Sequence, residues 1–281
     1  MAEVTEHDAE LDGQPVFWRS APGGGTPALY VHGVPTSSDD WIPFLERTGG
    51  LAPDLLGFGR SGKRGDLDFT MEGYERFLET FLELVEIERV RLVVHDWGAV
   101  GLLWAMRFPE RVERLVVLNS VPFLPGYRWH GVARGWRTPL AGELLMGMTT
   151  RWTLERALRK ANATRGSVSR ASVDVIWRHL DQATQRALLR LYRSSPEKKL
   201  AEAGRRLGDV GCPALVIWGD RDPYIPARFG DGYAAALGDA RVVHVADAGH
   251  WPWLDRPDVV DAVAAFLDGA PLPARFAEER A

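Results

Sequence analysis

The 281-residue sequence predicts an α/β protein: a mostly parallel sheet covered by helices on both faces, with a helical segment inserted into it. Three observations carry that expectation. Short, continuously apolar runs alternate with amphipathic helical patterns, and strands apolar along their whole length are those buried on both faces. The alternation stops over residues 122–210, where only helical periodicity is found, and it resumes at residue 213. The charge changes at the same place: residues 122–210 hold 17 Lys/Arg against 7 Asp/Glu, a balance of +10, while the chain as a whole is at −4 and its remainder therefore at −14. The expected organisation is a core formed by residues 1–121 and 211–281 and a helical cap formed by residues 122–210.

Taken in order, residues 28–33 (ALYVHG) read as a buried strand, and residues 50–57 (GLAPDLLG) as a strand running into a glycine-rich loop. Residues 70–87 form a helical pattern with Tyr74, Phe77, Leu78, Phe81, Leu82 and Val85 on one face. Residues 90–96 (VRLVVHD) are a strand, 98–107 a helix and 112–120 (VERLVVLNS) a further strand. Within the insert, residues 149–162 and 172–194 carry helical periodicity. Strands return at 213–220 and 240–247, and a helix is expected from Pro257 to Gly269. The last residues, LPARFAEERA, read as a frayed tail.

Composition narrows the class. A net charge of −4 gives no footprint for a nucleic acid partner. The acidic start, MAEVTEHDAE, lacks the apolar stretch of a secretory signal, and no apolar run approaches the ~20 residues of a membrane span. Cys212 is the sole cysteine, which excludes an intrachain disulfide and a cysteine-based metal cluster. A cytoplasmic protein with no membrane partner is the expectation, and the excess arginines of the insert read as solvated helix faces.

In open α/β sheets ligands bind beyond the carboxyl ends of the strands. That rule selects His32 to Pro35, Asp54, Asp96, Asn119, Asp220, Asp222 and His250. Asp96 lies on a strand-to-helix turn, with Val94 and Gly98 two residues to either side. Such a turn needs small or neutral flanks because the backbone doubles back on itself, and the following helix aims its positive end at the carboxylate. The competing reading is that Asp96 only caps that helix. The distant partners favour a nucleophile: Asp222 follows one late strand, His250 follows the next, and the chain order is nucleophile, acid, histidine.

These motifs together resemble the haloalkane dehalogenase and epoxide hydrolase branch of the α/β-hydrolases. The resemblance rests on HGVPTSS (residues 32–38), APDLLGFGRSG (52–62), HDWG (95–98), GDRD (219–222) and GHW (249–251), and spans about two thirds of the chain. It implies an α/β-hydrolase fold with a helical cap, a small apolar organic substrate plus water, and no cofactor or metal. It also implies roles. Asp96 attacks saturated carbon and becomes an alkyl ester; His250, oriented by Asp222, activates water to hydrolyse it. The backbone N–H groups of Val34 and Trp97 would hold the oxyanion. Asp220 is the rival acid, but the family's Gly-x-x-Asp pattern favours Asp222. His95 is expected to support the site through hydrogen bonds, and His32 to brace its turn.

The two branches differ in what receives the leaving group. For a halide, the Trp97 indole N–H is a donor, and PTSS (35–38) and GDLDF (65–69) resemble dehalogenase segments. Val34, however, stands where many dehalogenases carry asparagine, so a second donor would have to come from Trp129, Trp136, Trp152 or Trp177. For an epoxide, Tyr192-Arg193 resembles the Tyr-Arg pair that carries a ring-opening phenol, and GHW is closer to epoxide hydrolases. Family members usually pair two cap tyrosines, sometimes a histidine with one. Tyr127 lies early for that, and no tyrosine stands between it and Tyr192. Asn119-Ser120 occupies the position where some dehalogenases carry a glutamate, which leaves the acid to Asp222. The expected activity is epoxide hydrolysis to vicinal diols, with haloalkane dehalogenation as the alternative and a non-catalytic binding protein as a third reading.

Overall fold

A computed structural model describes residues 2–277, so residues 278–281 of the expected tail lie outside the described part. The sheet has eight strands: β1 (Thr5–Leu11), β2 (Gln14–Ala21), β3 (Ala28–Val31), β4 (Gly50–Pro53), β5 (Val90–Asp96), β6 (Val112–Ser120), β7 (Ala214–Gly219) and β8 (Ala240–Val245). Their spatial order is β1-β2-β4-β3-β5-β6-β7-β8. The strands from β4 to β8 pair in parallel, and β1 and β2 add an antiparallel edge. This is the mostly parallel, helix-covered sheet that the strand and helix rhythm predicts, and the α/β-hydrolase fold that the family resemblance implies.

The β1–β2 hairpin was not foreseen. Its outer strand is mostly exposed and polar, which hides it from an apolar-run search. The signal was local: Asp12 and Gly13, with φ of 51° and 71°, make the tight turn between paired Leu11 and Gln14. An Asp-Gly pair is a strong hairpin signature because both central residues of such a turn need positive φ.

Helices α1 (Ile42–Thr48), α2 (Met71–Leu84) and α3 (Val100–Arg107) fill the crossovers of the first half. Between β6 and β7 the elements are helical: α4 (Gly131–Arg137), α5 (Ala141–Gly147), α6 (Arg151–Ala161), α7 (Arg170–His179), α8 (Gln182–Ser194), α9 (Glu197–Ala203) and a 3₁₀ stretch to Val210. Then α10 (Arg228–Leu237), α11 (Pro252–Asp255), α12 (Asp258–Leu267) and α13 (Ala274–Ala277) complete the chain. The α2 face read from the sequence is buried from Tyr74 to Leu82.

The core lies on both faces of the sheet because successive strand residues point to opposite sides. Leu92 and Val94 of β5 pack with α2 and α3, whereas Val93 packs with Trp41, Phe44 and α12. The frayed-tail expectation needs correction for residues 272–277: Phe276 and Leu272 are buried in the second cluster, and the Phe276 carbonyl accepts from Arg241. An aromatic that can reach an apolar seam ties down a terminus whose flanking residues are polar.

Candidate active site

Asp96 ends β5 at the centre of the sheet, and its backbone is in the strained region with φ 49° and ψ −122°. Two glycines make room for that turn. A Cβ on Gly98 would lie 2.0 Å from the Val31 carbonyl oxygen, and one on Gly33 would lie 2.4 Å from the Asp96 Cβ. The helix that follows starts with a 3₁₀ turn, Trp97–Ala99, before α3. Asp96 makes no side-chain cap hydrogen bond to that turn, so the capping alternative is set aside. Its Oδ1 instead accepts from the Val34 N–H at 2.9 Å, and its Oδ2 lies 3.5 Å from His250 Nε2.

His250 is carried on the loop between β8 and α11, and its Nδ1 donates to Asp222 Oδ2 at 2.7 Å. Asp222 follows β7 and has every lone pair engaged. Its Oδ1 accepts from the Tyr224 and Ile225 N–H groups at 2.7 and 3.1 Å, and its Oδ2 also accepts from Asn119 Nδ2 at 2.9 Å. Asn119 itself sits at φ 30° at the end of β6 and bridges to β7, its Oδ1 accepting from the Gly219 N–H at 2.8 Å. The residue that occupies the alternative acid position therefore holds the acid in place. Asp220, the rival, faces away and pairs with His244 at 2.7 Å.

The electrostatics follow from burying three charges together. Burial alone would lower the His250 imidazole, but the Asp222 and Asp96 carboxylates outweigh it and push it up to about 10. Burial would raise Asp96, yet the hydrogen bond and charge of His250, with the Val34 N–H, hold it below the usual carboxylate range. The resting set is an imidazolium between two carboxylates. Beneath it, His95 Nε2 donates to the His250 carbonyl oxygen at 2.8 Å, and burial pushes its imidazole down to about 3. His32 braces its turn: Nδ1 donates to the Gly33 carbonyl at 2.6 Å and Nε2 accepts from the Leu55 N–H at 2.9 Å.

Above the carboxylate lies a cavity of about 590 Å³, bounded by Asp96, Val34 and His250 below and by Tyr192 and other residues of the helical insert above. The Tyr192 phenol is pushed well above its ordinary value by burial and by the Asp96 charge, so it stays protonated. Of the four insert tryptophans, Trp129 and Trp136 line the cavity; Trp152 is exposed and Trp177 packs against the second core cluster. The Trp129 indole donates to the Ser195 carbonyl at 3.1 Å. The Trp97 indole Nε1 is buried without a partner, its ring stacked on Trp129 and edge-on to Tyr192. The Trp97 backbone N–H, the second expected oxyanion donor, makes no hydrogen bond to the carboxylate. A planar carboxylate presents its oxygen differently from a tetrahedral oxyanion, and such contacts tighten only on reaction.

Three residues to which sequence reasoning assigned no role, Tyr127, His130 and Tyr224, bring polar side chains to the cavity. Tyr127 lines it despite its early position, His130 lines it from the start of α4, and Tyr224 packs edge-on to His250 at 5.3 Å. Tyr224 stands two residues past Asp222, a spacing that could have flagged it. Burial pushes His130 down to about 4, and its Nδ1 accepts from the Ala133 N–H at 3.3 Å, which leaves the ring proton on Nε2.

The sharp turn at Asp96, the acid after β7 and the histidine after β8 define a class. Residues 26–257 match the alpha/beta hydrolase fold family, and the chain belongs to it, in the haloalkane dehalogenase and epoxide hydrolase branch. Among its relatives, the chain is 30% identical over 271 residues to a haloalkane dehalogenase of Mesorhizobium japonicum, covering 88% of this chain and 86% of that one. In fold it is similar to the haloalkane dehalogenase DbeA of Bradyrhizobium elkani (TM-score 0.79, 23% identity, 95% of this chain and 98% of that one). It is also similar in fold to the epoxide hydrolase CorEH (TM-score 0.78, 20% identity, 95% of this chain and 99% of that one).

Proposed function

We propose that the protein hydrolyses small apolar substrates at saturated carbon through an alkyl ester on Asp96, that residues 122–210 act as the cap over that site, and that epoxides are the preferred substrates. The observation that carries the preference is Tyr192: a protonated phenol on the cavity wall, under the influence of the Asp96 charge. With Oδ1 held by Val34, Oδ2 is the oxygen free to attack. It bonds to a ring carbon, the C–O bond breaks, and the ring oxygen takes the Tyr192 proton.

Esterification removes the Asp96 charge, one of the two that keep His250 protonated. The proton His250 then sheds balances the one Tyr192 gave up, and the neutral imidazole becomes a base. Water attacks the ester carbon as His250 Nε2 takes one of its protons. The oxyanion forms on Oδ1 against the Val34 and Trp97 N–H groups. Collapse expels the diol, whose new oxygen takes the remaining water proton, and Asp96 is restored.

Haloalkane dehalogenation is the second reading, favoured by the unpartnered Trp97 indole N–H and by the name of the Mesorhizobium relative. Against it, Val34 offers no side-chain donor, and the Trp129 N–H is already committed to Ser195. The experiment is a panel of epoxides and bromoalkanes on the unmodified protein, reading diol and halide in parallel. Diol formation exceeding halide release in kcat/KM is expected. The reverse order would transfer the proposal to dehalogenation, and silence on both would revive the binding-protein reading.

A further inference from the structure

The large exposed hydrophobic side chains of the described residues all fall in one stretch: Val132, Leu140, Leu144, Leu145, Met148 and Trp152. Leu140, Leu144 and Met148 are spaced one helical turn apart along α5, joined by the Leu144 N–H to Leu140 and the Met148 N–H to Leu144 hydrogen bonds. They therefore form one outward stripe. Leu140 is 84% exposed and sits at φ 66°, and Trp152, at the start of α6, is 67% exposed. A soluble surface has no use for such a stripe.

Cations flank it. Trp152, Arg156 and Lys160 share one face of α6, with the Arg156 guanidinium 5.9 Å over the Trp152 ring. Arg134, Arg156 and Lys160 are exposed and make no ion pair among the described residues. The whole insert is at +10 while the rest of the chain is at −14. The same surface is continuous with the cavity mouth, since Val132, Leu145 and Met148 also line the cavity above Asp96.

We infer that this face of the insert docks on an anionic lipid surface, inserting Leu140, Leu144 and Trp152 so that the cavity opens onto the acyl region. Apolar residues with an interfacial tryptophan, rimmed by basic side chains, are the composition that lies in a headgroup boundary. A second copy of the chain fits less well. Two such faces paired about a two-fold axis would bring Arg134, Arg156 and Lys160 against the same unpaired cations of the second copy. Among the described residues no helix is long and apolar enough to cross a membrane, but a surface-lying contact needs none.

The test needs no turnover, so it stands apart from the chemistry at Asp96. Full-length protein is mixed with vesicles of phosphatidylcholine alone or with phosphatidylglycerol, and partitioning is read by flotation. Binding to the anionic vesicles is expected, falling with added salt. The double substitution Arg134→Gln/Arg156→Gln should weaken it about thirtyfold. The triple substitution Leu140→Ser/Leu144→Ser/Trp152→Ser should weaken it about a hundredfold, with an unchanged circular dichroism spectrum. No binding to either vesicle, equal binding to both, or a triple variant that instead abolishes self-association in sedimentation velocity would overturn the inference.

Discussion

Replacing Asp222 by asparagine probes the acid without removing a hydrogen-bonding group. The native carboxylate meets four donors: two backbone N–H groups on Oδ1, and His250 Nδ1 with Asn119 Nδ2 on Oδ2. An amide has one acceptor end. The better pose keeps its oxygen on the two backbone donors and turns its NH₂ toward His250, whose Nδ1 must then become the acceptor. That places the ring proton on Nε2, the nitrogen that has to take a proton from water. It also leaves the NH₂ facing the Asn119 NH₂, at a cost of about 1–3 kcal/mol in stability. Loss of the carboxylate removes the larger of the two charges that raise His250 as well. A wrong tautomer in a comparable triad costs about 10⁴ in rate, so ester hydrolysis is expected to slow by roughly 10³–10⁴, or ~4–5.5 kcal/mol of barrier. Attack by Asp96 on substrate does not use that proton and should change less than tenfold. A rapid-quench experiment would see a burst of one substrate molecule consumed per site and held as the Asp96 ester, then a stall, with diol appearing only at the slow rate. Equal slowing of both phases, or steady turnover with no burst, would refute the assigned division of labour.

Tyr192→Phe separates the two substrate classes: ring opening should fall about 10²–10³-fold, while any halide release changes by no more than a few-fold. Gly98→Ala puts a methyl group 2.0 Å from the Val31 carbonyl, and urea denaturation should register a loss of about 3 kcal/mol, whereas a loss under ~0.5 would contradict the packing argument. Asp40, half-buried with its Oδ2 accepting from Trp251 Nε1 at 3.3 Å, is pushed up to about 7 by burial. Its proton is retained in the folded protein over a range where the unfolded chain has lost it, so stability falls as pH rises from about 4 through 7. Asp40→Asn removes that dependence, and its stability relative to the parent should grow by about 1–2 kcal/mol between pH 5 and 8, after allowance for solvent screening. An advantage that is flat or shrinks with pH would place the ionised carboxylate in a better-solvated setting than its burial indicates.

What could be read from the sequence was what local pattern encodes. Apolar runs located the parallel strands, and residues just past their ends supplied Asp96, Asp222 and His250, because a parallel sheet brings those ends together whatever the loops do. The β1–β2 hairpin escaped because β1 is an exposed edge, and edge strands are polar to discourage pairing with other chains. The cavity walls escaped for a different reason. Tyr127, His130 and Tyr224 meet over Asp96 through the way α4 and the loop after β7 pack, and no periodicity records that. Asn119 was read by what it is not, a glutamate; its hydrogen bond to Asp222 needed the third dimension. The exposed stripe on α5 looked like ordinary helix until its outer face had nothing to cover it.

If Asp96 carries the substrate as an ester that His250 releases, removing the imidazole must leave that ester in place. His250→Phe protein, incubated with an epoxide or bromoalkane, digested and measured by mass spectrometry, reads that directly. The expected result is a mass increase equal to the added substrate fragment, localised to Asp96 and absent from an Asp96→Ala control. An unmodified peptide with product still forming, or an adduct on another residue, would contradict it.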